Sequence, residues 1–92
     1  MSPVSEFITV STHAQHRWRR RADPEADCSP RVAWADAVSL VGHGLDAAEV
    51  RYHADSETLL LRERSTLVTV LDARFTDPRV RQAIERAGGA SA

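Results

Sequence analysis

Val50 to Ala73, VRYHADSETLLLRERSTLVTVLDA, reads as three short strands joined by two tight turns. The turn formers are Asp55-Ser56 and Arg64-Ser65-Thr66. Between them, Leu59 to Arg64 and Leu67 to Asp72 carry apolar residues at nearly every position except the ends. That pattern belongs to strands packed on one face by helices and partly covered on the other. The first strand spans roughly Glu49 to Ala54. Everything before it reads as helices that cover this sheet.

Working backwards, Ser29-Pro30 is a strong helix start, with serine as cap and proline at the first helical position. The helix it opens is expected to run to about Val41. Trp34, Ala37, Val38 and Val41 recur at three and four along it, and Gly42-His43-Gly44 closes it. Ala22 to Cys28 is an acidic connector whose Asp23, Glu25 and Asp27 can answer nearby arginines. An earlier helix starts at Thr12, with Gln15 completing a capping-box pattern, and stops before Asp23-Pro24. Trp18 is its anchor on the sheet. Before it, Glu6 to Ser11 is a candidate edge strand, which pairs either within the chain or with a second copy in a homodimer. Working forwards, Arg74 to Thr76 is a turn. Asp77-Pro78 opens a short last helix that Gly88-Gly89 closes, with Val80 and Ile84 as its only substantial apolar contacts. The expected fold class is α+β: two N-terminal helices packed on a three- to four-stranded antiparallel sheet, with a short C-terminal helix over 77–87. One domain spans residues 1–92, its core at about 8–73.

The chain has 92 residues, 42% hydrophobic and 27% charged, as in a globular protein. A net charge of −1 argues against a generally basic nucleic-acid binder. All 12 cationic residues are arginine. A GC-rich genome produces that bias, and so does a need to grip phosphate in a forked geometry. Cys28 is the only cysteine, which excludes an intramolecular disulfide. No apolar run has the length of a signal peptide or a membrane span, so a cytoplasmic, membrane-free protein is expected.

Two groups of residues carry candidate chemistry. On the first helix His13, Arg17 and Arg20 fall at spacings of four and three, with His16 beside Arg20. Such a ridge sets a proton-transfer group beside cations that stabilise phosphate charge. The plain alternative is the solvated face of an amphipathic helix. On the sheet, Tyr52 and His53 precede the first turn, and Arg62 and Arg64 end the second strand. Arg62 and Arg64 share a face with Leu60, and His53 shares one with Arg51. A sheet arginine projecting over the first helix would complete a joint cationic pocket; otherwise these are edge charges that oppose aggregation. His13 and His16 have a legal metal-ligand spacing, but the chain has no CxxC and no HExxH, so neither a metal nor any other cofactor is expected.

The segments Ser11-Thr12-His13-Ala14-Gln15-His16-Arg17 and Leu67-Val68-Thr69-Val70-Leu71, in this order of elements, resemble small proteins of the RelE/ParE toxin superfamily. The resemblance covers about Ile8 to Ala73. It implies a metal-independent ribonuclease acting on RNA, often at the ribosome, and a small antitoxin or other protein as partner. It further implies His13 as base or acid, with Arg17 and Arg62 or Arg64 on the phosphate, and His16, Arg20, Tyr52 and His53 as RNA contacts. The net charge of −1 departs from the basic character common among these toxins. The alternative is a non-catalytic α+β module that binds protein or nucleic acid.

Overall fold

The structure, a computed structural model, describes residues 8–22, 28–75 and 77–87. Among these the order is β1 (Thr9–Val10), α1 (Thr12–Arg21), α2 (Pro30–Asp36), β2 (Val38–Ser39), β3 (Glu49–His53), β4 (Thr58–Glu63), β5 (Thr66–Asp72), a 3-10 turn (Ala73–Phe75) and α3 (Pro78–Arg86). The expectations for Glu6, for the acidic connector and for Gly88-Gly89 lie outside the described residues.

The meander is where the sequence puts it. β3 pairs antiparallel with β4, and β4 with β5. The sheet is wider than expected, however, and it is mixed. Its order is β1-β5-β4-β3-β2. β1 runs parallel to β5 at one edge, and β2 runs antiparallel to β3 at the other. The helix expected to reach Val41 ends at Asp36, because Ala37 turns to extended backbone (φ −78°, ψ 159°). The β-branched Val38 and Val41 that completed the apolar stripe suit a strand better than a helix. Val38 and Ser39 pair with Tyr52 and Arg51 of β3, and the Leu40 amide donates to the Val50 carbonyl. Val38 and Val41 are consequently exposed, at 42% and 80%.

α1 is capped by Ser11 rather than Thr12. The Ser11 hydroxyl accepts from the Ala14 amide at 3.0 Å and donates to the Val68 carbonyl at 3.3 Å. Val68 is the extra residue where the β4–β5 register shifts opposite Leu61 and Arg62, so one hydroxyl caps the helix and ties it to an irregular point of the ladder.

Helices cover both faces of the sheet. On one, Trp18 and Ala14 of α1 and Trp34 and Ala33 of α2 bury against Ile8, Leu60, Leu67 and Val70. On the other, Val80, Ala83 and Ile84 of α3 bury with Leu40, Val50, Tyr52, Leu59 and Leu61. The last helix is lightly packed, as expected, and holds the sheet by this short stripe. Ala83 adds to the apolar stripe of α3, and the long cationic side chains flanking that stripe hold the β2–β3 loop. Arg86 donates to the Val41 carbonyl at 3.0 Å.

That loop contains the two glycines read as a helix stop. Gly44 has φ +75°, and a Cβ on it would lie 2.8 Å from Cδ of Arg79. Alanine at this position carries both the left-handed penalty and a displaced Arg79 side chain. Gly44→Ala is expected to lower stability by about 1–2 kcal/mol in urea denaturation. An unchanged midpoint would show that the loop relaxes freely.

A second stability element closes β5. The Asp72 carboxylate accepts from Nε, one terminal nitrogen and the backbone amide of Arg74, each at 3.0 Å. The Arg74 side-chain bonds, against a smaller opposing effect of burial, hold its carboxyl below the ordinary carboxylate range; the nearby charges of Arg74 and Arg21 add to the shift. A depressed folded-state pKa contributes stability that is complete above the unfolded value and lost as pH falls through the folded one. Asp72→Asn is therefore expected to flatten the acid limb of the stability–pH curve while lowering stability at neutral pH. A variant with the same acid limb as the parent would remove Asp72 from the account.

Candidate functional site

The residues of the ridge lie on the open side of α1. Ala14 and Trp18 point to the sheet, and steps of 100° per residue put His13, Arg17 and Arg20 on a flank of the helix and His16 on its crest. His13, His16 and Arg20 are exposed and Arg17 is partly buried. Nε of Arg17 donates to Nε2 of His13 at 3.5 Å. This bond is long, but it sets a guanidinium beside an imidazole, a side chain that can serve as a general base. Among the described residues no carboxylate forms an ion pair with Arg17, Arg19 or Arg20; carboxylates pair with Arg51, Arg62 and Arg74. Arginines in the last turn also complement the helix dipole, so part of this charge serves α1 itself.

The sheet arginines form a separate cluster. Glu49 of β3 sits between two of them, accepting from Arg51 Nε at 2.9 Å and from Arg62 Nε at 3.0 Å. Arg51 also donates to the Trp34 carbonyl at 2.8 Å, and its guanidinium lies 4.0 Å from the centre of the Trp34 ring. Burial pushes the Glu49 carboxyl up, but the hydrogen bond and charge of Arg51, with Arg62 and Ser39 adding, bring it below its ordinary value. Arg62 also donates to the Arg64 carbonyl. Arg64 itself adopts φ +57° in the β4–β5 turn, a conformation that costs a non-glycine residue about 1 kcal/mol. These groups line a cavity of about 230 Å³ with Ile8, Trp34 and Ser65, and no residue of α1 lines it. The joint pocket of ridge and sheet arginines is therefore not a single cavity.

Tyr52 and His53 lie apart from both groups. Tyr52 is buried on the α3 side of the sheet, where burial and then the charge of Glu57 push its phenol up. His53 is buried beneath α1, its ring centre 6.4 Å from that of Trp18. Its Nδ1 lies 2.7 Å from the Ser56 hydroxyl, which lies 2.7 Å from that of Thr58. This chain of buried polar groups is internally satisfied and works as core. Neither ring shares the surface that carries His13.

The sequence reading missed Glu49 and Arg51. A carboxylate and an arginine two apart on a strand share a face, and that spacing was the available signal. Among the described residues no three His, Cys, Asp or Glu side chains gather as a metal site requires, and no helix is long and apolar enough to cross a membrane.

A family model described as "Putative RelE superfamily toxin domain" matches residues 10–74, more than two thirds of the chain. No curated protein and no solved structure matches.

Proposed function

The chain belongs to the RelE superfamily toxin-domain family, and from that premise we propose that it cleaves RNA without a metal ion, using the His13–Arg17 ridge of α1. The observation that carries this reading is the contact of Arg17 with His13, an imidazole beside a guanidinium that no described carboxylate neutralises. As the Arg17 guanidinium turns from Nε2 of His13 to the phosphate, the freed Nε2 takes the proton of the ribose 2′-hydroxyl of RNA, whose oxygen attacks the adjacent phosphorus. Arg17 and Arg20 hold the non-bridging oxygens, on which negative charge builds. The 5′-oxygen leaves with a proton from solvent, giving a cyclic phosphate and a free 5′-hydroxyl. His16, exposed on the crest of the helix, adds a contact to the strand.

The test is cleavage of RNA in EDTA, with and without ribosomes, by the parent and by the His13→Ala, Arg17→Ala double variant. Cleavage by the parent that the variant loses supports the reading. Equal cleavage by both assigns the activity to another site or to a contaminant. No cleavage under either condition overturns it.

A second reading, binding of a protein partner such as an antitoxin, has its own observation. β2 is an edge strand, and Val38 within it and Val41 just after it are exposed at 42% and 80%. An open edge flanked by apolar side chains suits an added strand. The two readings concern different parts of the surface and are compatible.

A further inference from the structure

The ridge is one end of a longer feature. A hollow of about 500 Å³ lies between α1 and α2, within the size range of small-ligand sites. Its apolar wall is formed by Val10 and by Trp18, which is 8% exposed. Gln15 and Arg19 of α1 and Ser29 and Arg31 at the start of α2 supply its polar lining. Arg31 is anchored, since its Nε donates to the Ile8 carbonyl at 3.1 Å, and the two terminal nitrogens of its guanidinium remain as a fork of donors. Among the described residues neither Arg19 nor Arg31 has a carboxylate partner.

Around α1 the order of side chains joins this hollow to the ridge. At 100° per residue, Arg17 and Arg20 are followed by His16 on the crest, then by Arg19 and Gln15 on the flank toward α2. A continuous cationic band therefore crosses the exposed side of the helix and ends at an apolar wall edged by an amide.

We propose that this hollow is a nucleotide subsite for single-stranded RNA. It seats one unpaired base against Val10 and Trp18, with the base edge on the Gln15 amide and the adjoining phosphate on Arg19 and Arg31. The inference rests on the RNA reading of the ridge and extends it to a second position on the strand. A base inside the hollow must be out of any stack, so the subsite selects single strands over duplex. The mixture of parts favours a nucleotide over an acidic peptide: the forked guanidinium groups suit either, but an amide that both donates and accepts suits a base edge.

The experiment is fluorescence anisotropy of a short labelled single-stranded RNA over a range of salt, in a His13→Ala background so that the strand stays intact. Gln15→Ala and Arg19→Ala are the variants, since both side chains are exposed and hold no described partner; thermal melts check their folding. Arg19→Ala is expected to weaken binding about tenfold and to reduce the slope of log K against log salt by about 0.7, one phosphate contact on a single strand. Gln15→Ala is expected to weaken binding about fivefold, as loss of a base-edge hydrogen bond would, with that slope unchanged. The same RNA annealed into a duplex should bind more weakly than the single strand. Binding that survives both substitutions but is lost in Arg17→Ala overturns the subsite and leaves the ridge reading standing. Failure to bind the free RNA at all overturns the subsite, while the cleavage assay with ribosomes decides the ridge reading separately. An acidic peptide that displaces the RNA and itself binds less well to Gln15→Ala makes the hollow a protein site and overturns the proposal.

Discussion

Replacing Trp34 with alanine is expected to lower stability by about 3–5 kcal/mol, the range for truncating a buried tryptophan. The side chain is 2% exposed and packs in the cluster with Ile8, Ala33 and Leu60, so its removal leaves a void beneath α2. A second loss follows from its ring. The Arg51 guanidinium lies 4.0 Å from the ring centre, and such a contact contributes on the order of 0.5–2 kcal/mol, more as it is desolvated. Without the ring, Arg51 loses the surface that holds it beside Glu49, and the cluster of Arg51, Glu49 and Arg62 loosens with it. Domains of this kind have only about 5–15 kcal/mol in total, so the variant should show a substantial unfolded fraction in mild urea. Urea denaturation followed by circular dichroism measures this. Trp34→Phe keeps an aromatic face under Arg51 and is expected to recover more than half of the loss. A Trp34→Ala variant within about 1 kcal/mol of the parent would mean that α2 contributes little to the core.

Where the chain's chemistry is local, the sequence could be read directly. The meander over β3–β5 follows from runs of Leu and Val broken by Asp55-Ser56 and Arg64-Ser65, and Ser29-Pro30 and Asp77-Pro78 mark helix starts that the structure keeps. Local patterns failed where a distant partner decides. Ala37 to Val41 fits a helical stripe by spacing, and only the free edge of β3 makes it a strand. Thr12 and Ser11 are both good caps, and the Val68 carbonyl, far along the chain, selects Ser11. The candidate site was legible in the same measure. His13, Arg17 and Arg20 lie on one helix, so their spacing fixes their common face. Whether Arg62 and Arg64 reach that helix depends on the whole sheet, and Glu49, more than ten residues upstream of Arg62, is what holds Arg62 elsewhere.

His13→Ala is expected to slow RNA cleavage by about 10²- to 10⁴-fold, the usual worth of a positioned general base. Arg17→Ala is expected to cost about 10²- to 10³-fold, comparable with removing one donor from a developing oxyanion. The two losses should not add. Base and cation serve one transition state, and Arg17 also orients the His13 ring through its Nε, so the double variant should be little slower than His13→Ala alone. Arg17→Lys separates the two roles of the guanidinium: it keeps the positive charge but lacks the Nε donor and the fork, so most of the loss should remain. The pH profile distinguishes a base from a merely structural imidazole. Catalysis by an imidazole base rises about tenfold per pH unit on the acid side and levels off once the ring is unprotonated. The parent should show that limb and His13→Ala should lack it, leaving a slow rate governed by solvent hydroxide. Arg17→Ala should keep the limb at a lower plateau, because the base remains. A profile of the same shape in His13→Ala and the parent would remove His13 from the chemistry and leave the ridge as a phosphate-binding surface only.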